Sequence, residues 1–473
     1  MLEGALLGLA QLLRWMLVAE HELLLFATFF FIVSAIDEAA VDISWLWLRF
    51  NGHSGTGVVP LGLTESALLG HAAILVPAWH EDKVIGSMIG HTLAAWGQRD
   101  FTLYIGCYRN DPKTLAEAVA AAGGDARVRI VINEFDGPTT KADCLNRLYA
   151  ALRSDEARSG TPFRNVILHD AEDMVHPAAL ALMDRALAEV DFVQLPVRPE
   201  PQPNSLWIAG HYSDEFTEAH AKTLVVRDAL GAAIPAAGVG CGFSRQALAN
   251  LARLRMAAGE AGPFASECLT EDYELGLLIA RNGGRSRFLR MRDTGGKLVA
   301  TRSYFPATLD AAVRQKARWI HGIAFQGWER LGWNGRPVDI WMTLRDRRGP
   351  LTAVVLAAAY LLLIIEGLLG AARLAGWHEG LELSPLLRFM IAASFVSFLW
   401  RMVFRFAFTT REYGPMEGVL AIFRIPIANI IAIMAGRRAL LTYMRTLRGA
   451  EISWDKTAHG VHPAALAAQA AAA

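Results

Sequence analysis

Residues 166–177 read Val-Ile-Leu-His-Asp-Ala-Glu-Asp-Met-Val-His-Pro, an apolar run that stops in three carboxylates, Asp170, Glu172 and Asp173. A short apolar run of this kind predicts a buried strand, with the acids at its carboxyl end. In an open α/β sheet that edge is where ligands sit, and carboxylates are hard ligands suited to a Mg²⁺ or Mn²⁺ already bound to phosphate. The competing expectation is structural, with Asp170 or Asp173 capping a helix that begins near Pro177.

Outward from this run, residues 71–290 alternate apolar runs with helical stretches, the pattern of βα units and a mostly parallel sheet. Strands are expected at 72–76, 101–106, 128–132, 166–169 and 192–195, and helices at 112–122 and 141–152. No Gly-x-Gly-x-x-Gly follows the first strand, which disfavours a dinucleotide site and leaves nucleotide binding to side chains.

The composition places this α/β region in a membrane setting. Of 473 residues 53% are hydrophobic and only 19% charged, too apolar for an ordinary soluble enzyme. Lys plus Arg and Asp plus Glu balance at 46 each, so no basic field points to nucleic acid. Cys107, Cys144, Cys241 and Cys268 have no Cys-x-x-Cys spacing and fit a reducing cytosol better than a disulfide framework or zinc site.

Residues 5–18 are apolar but short, and 23–48 are long enough to span a bilayer yet contain Asp37, Glu38 and Asp42. Either these acids lie within the span and face protein or water, or the span ends near Ile36 and they are interfacial. The first residues lack the basic stretch and cleavage site of a signal peptide. Residues 352–374 and 386–408 read as further spans. Residues 416–435, interrupted by Arg424 and Pro426, read with the basic 437–448 as helices lying on the cytoplasmic surface. The expected organisation is a membrane segment at 1–50, an α/β domain at 70–330, transmembrane and interfacial helices at 350–449, and a cytosolic tail at 450–473.

Three more motifs surround the acids. Pro77-Ala-Trp-His-Glu81 ends the first strand, placing Glu81 in the turn on the same sheet edge as Asp170. Thr270-Glu271-Asp272 opens an amphipathic helix, where Thr270 is also a good N-cap and acids suit the first turn. Gln315-Lys-Ala-Arg318-Trp319 sets Gln315, Arg318 and Trp319 on one helical face.

In this order the motifs resemble those of the membrane-bound family 2 glycosyltransferases, the cellulose- and chitin-synthase-like group, over roughly residues 70–330 and the flanking spans. Gly238-Val-Gly-Cys-Gly-Phe-Ser-Arg245 and Trp454-Asp-Lys-Thr-Ala-His459 resemble most the bacterial inner-membrane type that serves in phage adsorption. The resemblance implies a GT-A fold, which is a Rossmann-like nucleotide-diphospho-sugar transferase domain, with transmembrane and interfacial helices. It also implies a UDP-sugar donor, a Mg or Mn ion, inversion at the anomeric carbon, and a place in the bacterial inner membrane with the catalytic domain cytosolic.

Carried over by position, Pro77 and Glu81 match the nucleoside-binding turn, and Lys141 matches a lysine near base and phosphates. Asp170 with Glu172 or Asp173 matches the metal acids, and Asp272 the general base, with Glu271 beside it as alternate. Arg318 falls to the pyrophosphate, Gln315 and Trp319 to the acceptor. Implied partners are the nucleotide sugar, a polysaccharide or lipid acceptor, the membrane, and an outer-membrane or periplasmic protein. Single transfer to a polyprenyl-phosphate lipid and an inactive membrane scaffold are the competing readings. The second strand ends Gly106-Cys-Tyr-Arg-Asn-Asp111, where the wider family places a base-reading Asp, so uracil is inherited from the resemblance.

Overall fold

The computed structural model describes residues 2–52, 56–376, 382–449 and 460–465, so the motif at 454–459 lies outside the described residues. Seven strands form the main sheet: β1 (Ala72–Pro77), β2 (Phe101–Cys107), β3 (Val128–Ile132), β4 (Asn165–Leu168), β5 (Phe192–Gln194), β6 (Cys241–Ser244) and β7 (Ser286–Phe288). Their order is β3-β2-β1-β4-β6-β5-β7. Neighbours are parallel except at β6, which runs antiparallel to both β4 and β5.

Five of these strands fall where alternating apolar runs predict them. β6 and β7 were not expected, because Cys-Gly-Phe-Ser and Ser-Arg-Phe are too short and mixed to carry a strand period. Tertiary partners make them strands: Phe243 of β6 stacks on Phe192 of β5, with centroids 4.8 Å apart and planes 10° from parallel. Alternate residues of β1 feed two cores, Ile74 and Val76 on one face and Ala73 and Leu75 on the other.

The chain steps from β1 outward to β3 and then returns to lay β4 on the other side of β1. The strand order reverses there, and such a reversal opens a crevice at the carboxyl ends of the two strands. Both Pro77 and the acid run leave the sheet at that crevice.

Four helices among the described residues are long and apolar enough to cross a membrane, within Leu2–Phe50, Gly349–Leu374, Pro385–Tyr413 and Ile425–Thr446. The first is one unbroken helix, through which the acids at 20 and 22 pass without interruption. Its Leu13 packs on Leu369 and Ala372, while its Glu38 pairs with Arg345 and Arg348, so it runs antiparallel to Gly349–Leu374. Glu38 lies 25 residues after Leu13, roughly 37 Å along a helix at about 1.5 Å per residue. The acids therefore stand at the end of the paired span, level with the first residues of the second helix.

Each acid there is paired. Lys222 Nζ lies 2.7 Å from Asp42, 2.9 Å from Glu218 and 3.6 Å from Glu38, and Arg348 lies 3.0 Å from Asp37. Trp341 and Trp400 donate indole N–H groups to Asp37 and Asp42. Arg424 breaks the last apolar stretch into Pro415–Phe423 and Ile425–Thr446, where it is buried between Asp214 and Glu417. Truncating one member of a buried ionic cluster leaves the others uncompensated, at a cost of about 3–5 kcal/mol. Lys222→Met is expected to lose stability of that order, read as a lower unfolding temperature and earlier proteolysis of the detergent-solubilised chain, while an exposed Lys113→Met control is unchanged.

Candidate active site

β4 delivers His169 and Asp170 to the crevice, and the loop after it is held from beneath. Asp173 Oδ2 accepts from the Asp170 N–H and from His169 Nδ1, each at 2.9 Å, and its side chain is 1% exposed. Met174 forms a backbone pair with Arg302, and His91 Nε2 donates to the Val175 carbonyl at 2.9 Å. The Trp96 indole donates to the His176 carbonyl at 3.1 Å. The helix that follows, Ala179–Ala186, has no side-chain cap, so neither Asp170 nor Asp173 caps it. Asp173 instead fixes the turn, and Asp170, Glu172 and Asp173 all border the cavity.

One further brace comes from the far end of the described chain. His462 is fully buried, and its Nδ1 accepts from the Ala464 N–H at 3.1 Å. That assigns the ring proton to Nε2, which donates to the Asp173 carbonyl at 3.1 Å. Nothing in the periodicity around His462 marks this role.

The cavity measures about 910 Å³. Pro77, Glu81, Lys141, Asp170, Glu172, Asp173, Glu271, Asp272, Gln315, Arg318 and Trp319, all singled out from sequence, line it. Lys141 opens the Lys141–Ser159 helix, whose Thr140 and Asp143 form a reciprocal capping box, and its Nζ lies 2.6 Å from Asp170 Oδ1. Asp111 is buried, accepts from the His80 N–H at 2.7 Å and caps the Pro112–Ala122 helix. It thereby shapes the turn that carries Glu81.

Glu271 and Asp272 begin the Glu271–Arg281 helix, but the Thr270 hydroxyl makes no capping bond there. A Cβ on Gly322 would lie 2.4 Å from that hydroxyl, so Thr270 serves as a packing surface for the helix after Trp319. Asp272 Oδ1 accepts from the Tyr273 N–H at 2.7 Å. Its other oxygen lies under Gly238, where a Cβ would stand 2.3 Å from Asp272 Oδ2 and 3.2 Å from Lys141 Nζ. Gly238 also has φ +75°, and Gln194 secures its loop by accepting from the Ala237 N–H at 2.8 Å and donating to the Val239 carbonyl at 2.9 Å. The sequence signal for this loop was the run Gly-Val-Gly-Cys-Gly, read for its resemblance and not for its geometry.

The electrostatics follow from crowding. Burial would lower the Lys141 ammonium, but Asp170, Glu271 and Asp272 together outweigh it and raise its pKa. Burial and the adjacent Asp272 push the Glu271 carboxyl well above the usual range. Burial raises Asp272 as well, against the lowering pull of Lys141 and Arg318. On the opposite wall, Trp319 packs near Tyr212 and Phe216, with centroids 6.2 and 6.3 Å away, and the buried Gln315 Oε1 has no hydrogen-bond partner among the described residues. Phe216, His220 and Leu224 complete that wall from a helix widened by a π-helical turn at Ala219–Thr223.

Asp170 and Glu172 are a hard oxygen donor set that suits a divalent cation. Among the described residues no group of three or more His, Cys, Asp and Glu could hold an ion.

A reversed strand order with acids at its crevice, over flanking membrane helices, is the GT-A architecture of a membrane glycosyltransferase. Residues 70–322 match glycosyltransferase like family 2, and the chain belongs to that family. Bacteriophage adsorption protein B of Escherichia coli K12 and bacteriophage N4 adsorption protein B of E. coli O157:H7 are each 33% identical over 411 residues, covering 82% of this chain and 54% of theirs. The chain thus spans about half the length of the curated relatives it matches. Among solved structures, glucosyl-3-phosphoglycerate synthase from Mycobacterium tuberculosis in complex with Mg²⁺ and UDP shows 18% identity and a TM-score of 0.33, covering 55% of this chain and 79% of that one.

Gly238→Ala puts a methyl group where Asp272 and Lys141 already stand. The variant is expected to fold with a lowered unfolding temperature, because alanine is strained at φ +75°, and to bind UDP more weakly by calorimetry. An unchanged affinity would show that the loop yields without moving the charged pair.

Proposed function

We propose that the chain is an inverting, divalent-cation-dependent glycosyltransferase of a bacterial inner membrane, using a UDP-sugar in surface or exopolysaccharide synthesis. The observation that carries this reading is the gathering of Asp170, Glu271 and Asp272 about Lys141, facing Gln315, Arg318 and Trp319 across one cavity. Asp170 and Glu172 would hold Mg or Mn, which when bound supplies charge neutralisation to a departing diphosphate. Lys141 and Arg318 add cationic contacts to the same phosphates, and Pro77 and Glu81 border the nucleoside. Asp272 takes the proton of the acceptor hydroxyl as its oxygen bonds to the anomeric carbon and the bond to UDP breaks, a single displacement that inverts the centre. Glu271, whose carboxyl is pushed up by burial and by Asp272, is the alternate base beside it. Trp319 offers an indole face to an acceptor sugar.

The catalytic domain is read as cytosolic, where nucleotide sugars are, with Arg437, Arg438, Arg445 and Arg448 on the same side. The relatives are named for bacteriophage adsorption, and an outer-membrane or periplasmic partner is part of the proposal. A single transfer to a polyprenyl-phosphate lipid is the second reading. It is favoured by the apolar wall of Phe216, Leu224, Phe305 and Ile323, and by the contact of Ile320 with Gly349 at the start of a span. Release of UDP from a panel of UDP-sugars by the purified chain with Mn²⁺ or Mg²⁺ tests the class, and no release with any donor would favour an inactive scaffold.

Asp170→Ala is expected to abolish metal-dependent UDP binding while the protein stays folded in detergent. Calorimetry with and without Mn²⁺ checks this, and equal affinity to the parent in both conditions would remove Asp170 from the ion site.

Asp272→Asn keeps size and deletes the base, so transfer should fall about 10²- to 10⁴-fold with donor affinity nearly intact. A base works only when deprotonated, so kcat should fall as pH drops through the raised Asp272 pKa. Lys141 is the largest influence lowering that pKa. In Lys141→Gln the acidic limb of kcat, measured at saturating donor, should therefore move to higher pH; a limb that stays put separates the base from Asp272.

A further inference from the structure

A second concavity lies away from the cavity just described, between the Leu309–Ile320 and Ile425–Thr446 helices. Its volume is about 580 Å³, and Leu309, Asp310, Val313, Met434, Arg437, Arg438, Leu441, Thr442 and Arg445 line it. The first helix gives Leu309, Asp310 and Val313 to this groove and Gln315, Arg318 and Trp319 to the catalytic cavity. The second gives residues spaced at 434, 437, 438, 441, 442 and 445, one helical face.

Packing fixes the level of the groove relative to the membrane. A Cβ on Gly436 would stand 2.3 Å from the Cβ of Ala353, and Gly349 meets Ile320. Both Gly349 and Ala353 belong to the first turns of the Gly349–Leu374 span. The arginines that follow Gly436 are therefore at the depth where that span leaves the bilayer. Beside them Leu440, Leu441 and Met444 are 41–44% exposed, an apolar surface of the kind that rests among lipid headgroups.

The charge of the groove is one-sided. Three arginines face one acid, Asp310, which lies 3.9 Å from Arg438 and 3.2 Å from Arg314. Arg437 and Arg445, both exposed, have no ion pair among the described residues. A planar guanidinium grips a phosphate through two parallel N–H donors, and Thr442 adds a hydroxyl. Leu309, Val313, Met434 and Leu441 offer the apolar floor that a glycerol backbone and the first methylenes of an acyl chain require. Cationic rim, apolar floor and interfacial depth match one occupant.

We propose that this groove binds the headgroup of an anionic phospholipid on the back of the helix that carries Gln315, Arg318 and Trp319. The site is separate from the donor cavity, and its occupancy braces that helix against Ile425–Thr446.

The test titrates the full chain in neutral detergent with phosphatidylglycerol, phosphatidylcholine or inorganic phosphate, reading bound lipid by native mass spectrometry and the unfolding temperature. Phosphatidylglycerol is expected to bind and to raise the unfolding temperature, with phosphatidylcholine and inorganic phosphate without effect. Each arginine near an anionic headgroup is worth about fivefold in affinity, so the triple variant Arg437→Gln, Arg438→Gln, Arg445→Gln should bind roughly a hundredfold more weakly. Its unfolding temperature without lipid should match the parent. If the triple variant does not fold, the single variants Arg437→Gln and Arg445→Gln should each weaken binding about fivefold, against no change in Arg448→Gln outside the groove. Equal binding of the two lipids, equal stabilisation by inorganic phosphate, or undiminished phosphatidylglycerol binding by the groove variants would each overturn the assignment.

Discussion

One ammonium stands among three carboxylates at the carboxyl edge of the sheet. Lys141 cannot balance Asp170, Glu271 and Asp272 at once, and burial with the residual repulsion raises the Glu271 and Asp272 carboxyls. The surrounding structure is organised to keep these groups from drifting apart. Gly238 gives Asp272 and Lys141 a common neighbour with no side chain, and Gln194 secures that glycine's loop from the end of β5.

The acid loop shows the same logic carried by hydrogen bonds. Its backbone carbonyls at 173, 175 and 176 each receive a side-chain N–H, from His462, His91 and Trp96. Asp173 closes the turn from within. A loop whose polar groups are satisfied from below cannot collapse onto its own acids, which keeps Asp170 and Glu172 at the cavity. Two of these three donors belong to the helical layer beside the sheet, whereas His462 returns from beyond the membrane helices.

The membrane helices are joined to this domain by charge as well as by apolar packing. Lys222 lies in the π-helical turn whose other side gives His220 to the cavity wall, and it pairs with Asp42, Glu38 and Glu218. The first membrane helix and the cavity wall therefore share one buried ionic cluster. Ions withdrawn from water tolerate little displacement, so the wall and the anchor hold each other in place.

Sequence by itself determined the elements whose residues carry their own signal. The apolar periods of β1 to β5, the acids after β4, and the spacing of Gln315, Arg318 and Trp319 were legible because each is local. The family was legible in the order of those motifs. What the tertiary structure alone decided are matters of contact across long separations. Asp173 and Glu172 are adjacent in sequence and equally acidic, yet it is Asp173 that accepts from His169 and the Asp170 N–H. Thr270 occupies an N-cap position without capping, because its hydroxyl lies against Gly322. β6 and β7 become strands only because partners with the right register await them, and His462 finds Asp173 across 289 residues. A local pattern records what a segment prefers, and only the folded chain decides which distant group satisfies each polar atom it buries.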